Sequence, residues 1–215
     1  MEQIITSFKE LDTSTISDAL DKIGVFGQCF GVRSINPEWK IVGRAFTVKY
    51  SPVDLEPGTV GDFIDDVEPG DVVVLDNNGR LDCTVWGDIL TGVAKRRGIA
   101  GTVIDGVCRD THRSIHLDYP VFSTNRYMRT GKGRVQIETV GETINISNVI
   151  VKKGDIIVGD ADGVVVVPKI IEQQVLDEAK RIANAEDRIR DAIENGMRLD
   201  EARKHFNYHH LQKGE

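Results

Sequence analysis

Two runs of four apolar residues, Val72-Val73-Val74-Leu75 and Val164-Val165-Val166-Val167, constrain this chain more than anything else in it. Successive side chains of a strand point to opposite faces, so a run without polar alternation buries both. Each run is therefore a buried strand; the first follows the turn Pro69-Gly70-Asp71 and the second is closed by Pro168. Residues 70–79 echo residues 154–163: a turn, a strand, then an Asp-rich turn closed by Gly. Two copies are too few for a repeat architecture, so the echo marks strand entries and exits in one core. On that reading Asp76 and Asp160 are turn residues first and site candidates second.

Around these runs helices and strands alternate. Ile16, Ala19, Leu20 and Ile23 recur at helical spacing over 15–23. Thr15 and Asp18 stand as a variant capping box, and Gly24 as a left-handed C-cap. Residues 42–50 read as a strand and 58–67 as a short helix. Residues 87–97 read as a helix with Ile89, Leu90, Val93 and Ala94 on its apolar face. Lys95, Arg96 and Arg97 fill its last turn, where the helix dipole favours cations. Residues 102–104 form another buried strand, 110–117 a short helix, and 121–122 a strand. The second half is β-rich, with short strands over 134–139, 142–146 and 149–152. Residues 169–195 read as one long helix. Ile171, Val175, Ala179, Ile182, Glu186, Ile189 and Ile193 follow one face of it, and the other faces are charged. Such a helix lies on a surface or on a neighbouring subunit.

Composition excludes several classes. A chain of 215 residues suits one large domain, here 1–215. With 27 basic and 34 acidic residues the net charge is −7, a poor balance for binding nucleic acid or anionic membranes. No apolar run approaches the roughly 18 residues of a membrane span. The polar start MEQIITSFKEL is no signal peptide. Cys29, Cys83 and Cys108 form no CxxC pair, which points to a reducing, cytoplasmic setting.

Ligands of open α/β folds bind beyond the carboxyl ends of buried strands. Two segments fit. Trp86-Gly87-Asp88-Ile89-Leu90 opens a helix whose free amides suit a carboxylate or phosphate, although Asp88 is equally a plain N-cap. Asp105-Gly106-Val107-Cys108-Arg109-Asp110 follows a buried strand. Arg109 and Asp110 are either a surface ion pair or a guanidinium fork for a carboxylate beside a ligand for a hard divalent metal. His112 and His116 are four apart but lack a third ligand, so they read as surface histidines. Arg126, Arg129, Lys132 and Arg134 form a basic loop, either solvated or facing an anionic substrate or an adjacent subunit. No Walker loop, GxSxG elbow or HExxH pattern occurs.

The segments WGDIL, GIAGTVIDGVCRD, YPVFS and KKGDIIVGDADGVVVVPK together resemble the RraA-like family. That family includes 4-hydroxy-4-methyl-2-oxoglutarate aldolases and regulators of ribonuclease E activity. The resemblance implies an α/β/β/α fold of the swivelling-domain type with a long C-terminal helix, assembled as a homotrimer or homohexamer. It implies a class II aldolase site using Mg²⁺ or Mn²⁺ on a small 2-oxo acid substrate. By position, Arg109 would bind the pyruvyl carboxylate and Asp110 the metal. Asp88 would hold a water of the metal's shell, and Gly87, Ile89 and Leu90 would help grip the substrate. Glu186, from a neighbouring subunit's C-terminal helix, would complete the site. Pyruvate-enolate chemistry of this kind also decarboxylates oxaloacetate. The rival expectation is a protein-binding inhibitor of ribonuclease E, which needs no metal.

Overall fold

In the computed structural model, which describes residues 2–206 and 208, the valine runs bury both faces as their pattern requires. Helices α1 (Gln3–Phe8) and α2 (Thr13–Ile23) precede strands β1 (Arg33–Ser34) and β2 (Ile41–Pro52). Next come β3 (Val72–Thr84), α3 (Asp88–Arg97), β4 (Gly101–Cys108), α4 (Thr111–His116) and β5 (Val121–Arg126). Short strands follow: β6 (Val135–Val140), β7 (Ile144–Ile146), β8 (Val149–Val151), β9 (Ile156–Gly159) and β10 (Val164–Val167). Helices α5 (Glu172–Glu194) and α6 (Leu199–His205) end the described chain.

Strand alternation sorts the apolar residues into three cores. β3 sends Val73 and Leu75 outward, to a core shared with Trp86, Ala94 and Tyr119. Its Val72 and Val74 point inward, beside Val164 and Val166 of β10. Val165 and Val167 of β10 face the other way, onto Leu20 of α2 and Ala179 of α5. The result is two helical layers enclosing two strand layers, the α/β/β/α arrangement expected from the resemblance.

β2, β3, β4 and β5 run parallel, and β9 and β10 add antiparallel beyond β2. One segment joins the two ends of this sheet. Its first part lies along β10, with Cys29 N donating to Val164 O at 2.9 Å and Val166 N to Gly27 O at 2.8 Å. Its second part, β1, pairs with β5. A Cβ on Gly27 would stand 2.4 Å from the Val166 carbonyl oxygen, so only glycine lets the strand approach this closely. The sheet is thereby nearly closed into a barrel, and the β7–β8 hairpin inserts Ile144, Ile146, Val149 and Val151 into its interior.

Several expectations need correction. The segment 58–67 is not a helix but a loop with a single 3₁₀ turn at Ile64–Asp66. Its carbonyls are taken by distant donors: Ile137 N reaches Thr59 O at 2.9 Å and the Tyr50 hydroxyl reaches Val60 O at 2.7 Å. α2 is capped by Asp12, whose carboxylate accepts the Thr15 amide at 2.8 Å, not by Thr15 with Asp18. Gly24 does adopt the left-handed C-cap, at φ 78°. Asp88 is the first residue of α3, and Gly87 holds the N-cap position. The first half of the α5 stripe, Val175, Ala179 and Ile182, packs on α1 and α2 of its own chain, whereas Ile193 is exposed. Asp160 is a turn residue that also accepts the Thr13 amide, at 2.8 Å. Among the described residues no helix is long and apolar enough to cross a membrane.

Asp76 and Asp105 lie side by side on β3 and β4 and hold the β7–β8 hairpin. Asp76 accepts the Asn145 amide at 3.3 Å and Asp105 the Ser147 amide at 3.2 Å. Burial raises the Asp105 carboxyl above the ordinary range, and the Asp76 charge adds to the rise. The folded chain therefore binds more protons than the unfolded one between the usual and the raised pKa, and stability falls as pH rises through that window. Asp105→Asn, which keeps an acceptor for Ser147, should raise Tm at pH 8. The advantage should vanish below about pH 4, where the carboxyl is protonated in both states. A lower Tm at pH 8 would mean that the charge itself holds the hairpin.

Candidate functional site

The chain leaves β4 through a strained residue. Asp110 adopts φ 53° and ψ 34°, the left-handed region that side chains other than Asn and Asp rarely tolerate. It occupies the N-cap position of α4 yet makes no capping hydrogen bond there. Its Oδ2 accepts the Asp88 amide instead, at 3.1 Å, in the first turn of α3. The positive end of that helix's dipole suits a carboxylate. The strain thus aims Asp110 across to another element, the pattern found where strain serves a site.

Gly87 makes room for this. A Cβ there would lie 2.9 Å from Asp110 Oδ2 and 3.1 Å from Arg109 Nε. Arg109 Nε stands 3.4 Å from Asp110 Oδ2, an ion pair with no hydrogen bond. That Nε is buried and has no hydrogen-bond partner among the described residues, an unmet donor that a ligand oxygen would satisfy. The two side chains remain 36% and 32% exposed, so the pair is open to small molecules.

A buried network fixes the turn that carries Gly87. The Thr84 hydroxyl donates to Trp86 O at 2.9 Å, and the Trp86 amide donates back at 3.1 Å. The Trp86 indole donates to the Thr91 hydroxyl at 2.9 Å, and Thr91 donates to Gly87 O at 3.0 Å. Beneath them Trp86 stacks on Tyr119 with ring centres 6.1 Å apart. Loop and first helical turn are thus held as one piece.

Gly87, Asp88, Ile89, Leu90 and Arg109 line one cavity of about 430 Å³, with Asp110 packed against Gly87. The amides of Ile89 and Leu90 belong to the first turn of α3, whose N–H groups have no intrahelical partner. The two sequence segments therefore meet. Glu186 does not join them in this chain: it pairs with Arg190 at 2.9 Å, on a helix packed against the opposite layer. His112 and His116 are exposed on α4. Of the basic loop, Arg126 donates to Ile35 O and Arg134 to Thr130 and Lys132 O, so both serve the backbone. Lys95 donates to Asp118 O at 2.7 Å.

Sequence reasoning missed Val60, Asp62, Thr84 and Thr130, which also line the cavity. Residues 60 and 62 come from the segment misread as a helix. Thr130 arrives through an isolated bridge with Thr84, a pairing that leaves no local signal.

Among the described residues no three His, Cys, Asp or Glu side chains converge as a metal cluster. The donor set nevertheless fits a hard divalent ion. One carboxylate, Asp110, is about a third exposed beside Arg109, and Mg²⁺ keeps several waters and needs few protein ligands.

The fold and this corner together define an α/β/β/α protein whose Arg-Asp pair meets a helix N-terminus at the carboxyl ends of parallel strands. The chain belongs to the RraA-like family, described as Aldolase/RraA, which matches residues 13–166. It is 38% identical over 212 residues to protein DlpA of Legionella pneumophila, covering 97% of this chain but only 34% of DlpA's own length. A protein of Halalkalibacterium halodurans, provisionally named a 4-hydroxy-4-methyl-2-oxoglutarate aldolase, is 38% identical over 82% of each chain. Among solved structures, a Pseudomonas syringae pv. tomato protein superposes with a TM-score of 0.87 at 41% identity, covering 94% of this chain and 98% of its own. Streptomyces coelicolor RraAS2, called an unusual member of the RNase ES inhibitor RraA family, superposes with a TM-score of 0.79 at 26% identity, covering 87% and 95%.

Gly87→Ala should crowd the Arg109-Asp110 pair and leave the core intact. We expect divalent-cation affinity, measured by titration calorimetry, to fall about tenfold with Tm little changed. Unchanged affinity would show that the cradle is only a packing feature.

Proposed function

We propose that this chain is a divalent-metal-dependent aldolase that cleaves 4-hydroxy-4-methyl-2-oxoglutarate or a related 4-hydroxy-2-oxo acid to pyruvate. The observation that carries the reading is the buried, unpartnered Arg109 Nε beside an Asp110 carboxylate turned away from its own helix. The names of the relatives support the same direction.

Arg109 neutralises the substrate carboxylate, and its planar fork sets the orientation. The Ile89 and Leu90 amides donate to the same end of the substrate. A Mg²⁺ or Mn²⁺ ion held by Asp110 would supply Lewis-acid stabilisation of negative charge developing on the 2-oxo oxygen. Asp88 orients the water that takes the proton of the C4 hydroxyl. As that proton leaves, the C4–O bond becomes a carbonyl and the C3–C4 bond breaks. Its electron pair remains on the pyruvyl fragment as an enolate, which is then protonated at C3. Oxaloacetate would yield the same enolate by losing CO₂, so decarboxylation is a side activity.

In this reading residues 1–215 form one domain, and the helix over 169–195 lies near a neighbouring subunit of a trimer or hexamer. Glu186 of that neighbour completes the site. The cytoplasm is the working compartment, in keeping with three buried, unpaired cysteines. A second reading, an inhibitor of a ribonuclease, rests on the likeness to RraAS2. Asp110 lying against both Arg109 and the Asp88 amide favours the enzyme.

A coupled assay for pyruvate release, with and without EDTA, separates the two: activity that EDTA abolishes supports the aldolase, and none under any metal sinks it. Asp110→Asn should cut turnover by roughly tenfold or more, because a neutral amide is a poorer ligand for a hard cation. Full activity in that variant at limiting metal would remove Asp110 from its role.

Subunit sharing has its own test. Asp110→Ala and Glu186→Ala should each be inactive alone. After mild dissociation and mixing, some sites of a mixed ring would hold both native residues, and activity should return. Mixed oligomers that form without activity would exclude Glu186.

A further inference from the structure

The aldolase chemistry leaves the basic loop between β5 and β6, residues 127–134, without a task, yet its backbone has one. The loop leaves β5 with Tyr127 N donating to Cys108 O at 2.9 Å, on the residue before Arg109. It then crosses to β3, where Arg129 O accepts Thr84 N at 2.9 Å and Thr130 bridges Thr84. Thr84 also pairs with Val107 of β4, so the end of β3 is held from both edges. From Thr84 the hydroxyl bonds run on to Trp86 and the Gly87 turn. One loop therefore grips both strand ends that lead into the site, that of β4 before Arg109 and that of β3 before Gly87.

The two strands need such a tie. Their ladder shifts register twice, between Asp76 and Arg80 and between Arg80 and Thr84, so an irregular stretch separates the end of β3 from its regular part. The loop, by contrast, is closed on itself and anchored. Arg134 N and Val135 N both donate to Gly131 O, at 2.8 and 2.9 Å. Arg134 Nη1 donates to Thr130 O at 3.2 Å and to Lys132 O at 3.3 Å. Beyond them Val53 N donates to Arg134 O at 3.1 Å, and Val135 pairs with Pro52 of β2. Contact with β3 is tightest at Gly131, which is buried. An added Cβ would stand 2.4 Å from Thr84 O and 2.8 Å from Val135 Cγ2, so only glycine lets the loop seat there.

The corner it supports has little slack. Asp110 Oδ2 lies 3.1 Å from the Asp88 amide and would lie 2.9 Å from a Cβ on Gly87. A site of this kind tolerates displacements of only about half an ångström. We propose that loop 127–134 is a positioning element whose backbone, seated through Gly131 and clamped by Arg134, sets the Gly87 turn against the Arg109-Asp110 pair. Its charges have no part in this. Arg126 and Arg134 donate to carbonyls, and among the described residues neither they nor Arg129 and Lys132 line the cavity. The inference rests on the roles given to Arg109 and Asp110 above.

Titration calorimetry of the full chain with Mn²⁺ and pyruvate tests it, beside the ¹⁹F spectrum of protein labelled with 5-fluorotryptophan. Trp39 and Trp86 are the two tryptophans, and Trp39→Phe assigns their resonances. Gly131→Ala should weaken binding about tenfold, as loss of an outer support does, and move the Trp86 resonance. Arg134→Lys keeps the charge but loses the rigid fork, and should act in the same direction. It decides the matter if Gly131→Ala fails to fold. Arg129→Gln and Lys132→Gln remove exposed charges and leave the backbone alone, so binding should stay within about twofold. If the folded backbone variants bind normally, the loop is packing alone and the proposal is wrong. Weaker binding with an unmoved Trp86 resonance would overturn the route through the Gly87 turn. A loss in Arg129→Gln or Lys132→Gln that Arg134→Lys does not share would replace positioning by an electrostatic role. If the unaltered chain binds neither Mn²⁺ nor pyruvate, the roles of Arg109 and Asp110 fall, and the positioning with them.

Discussion

At the centre of the main sheet the strands bury both of their faces, and the architecture follows from that constraint. A strand such as β10, Val on Val, has no side to offer water. Its outward valines require helices, and its inward valines require another strand layer. The segment from Gly27 to Ser34 satisfies both edges at once, lying along β10 at one end and pairing with β5 at the other. Closure leaves an interior that side chains alone fill, and the β7–β8 hairpin seals it at the cost of bringing two aspartates together under its amides.

The same constraint places the chemistry. With the interior filled, the cavity beside Arg109 lies where strands hand over to helices. At the end of β4 the chain turns sharply through Asp110, and the adjoining α3 presents its N-terminus to that turn. The left-handed backbone at Asp110 is unfavourable locally and is held by the surroundings: the Asp88 amide, the space at Gly87 and the stacked Trp86-Tyr119 pair. An unmet guanidinium nitrogen and an uncapped helix start are both tolerated at this corner, where a bound anion would relieve them.

Legibility differed from element to element for physical reasons. The helix over 87–97 and the strand at 102–104 were readable because apolar spacing and terminal Gly are local properties. The segment 58–67 was not, because its carbonyls bond to Tyr50 and Ile137, donors distant in sequence. Capping of α2 fell to Asp12 and not Thr15 for a smaller reason, a choice between neighbouring oxygens that spacing alone does not make. At the site, Gly87 to Leu90 and Arg109-Asp110 stood out as strand-end and helix-start motifs. That Gly87 is a cradle for the pair, and that Val60 and Asp62 line the same cavity, became visible only in three dimensions.

What the sequence determined by itself is whatever depends on the spacing of neighbours: the buried strands at 72–75 and 164–167, the helix starts and stops, and the order of the two site segments. Their resemblance to one family followed from the same local patterns. The tertiary structure decided which side of each strand met which helix, how residues 27–34 closed the sheet, and which loop shared a cavity with Arg109. It also decided that Val175, Ala179 and Ile182 of α5 pack on α1 and α2 of their own chain, with Glu186 on the layer away from Arg109. Those outcomes depend on contacts between residues far apart in the chain, whose partners are selected by the packing of the whole barrel and carry no local periodicity.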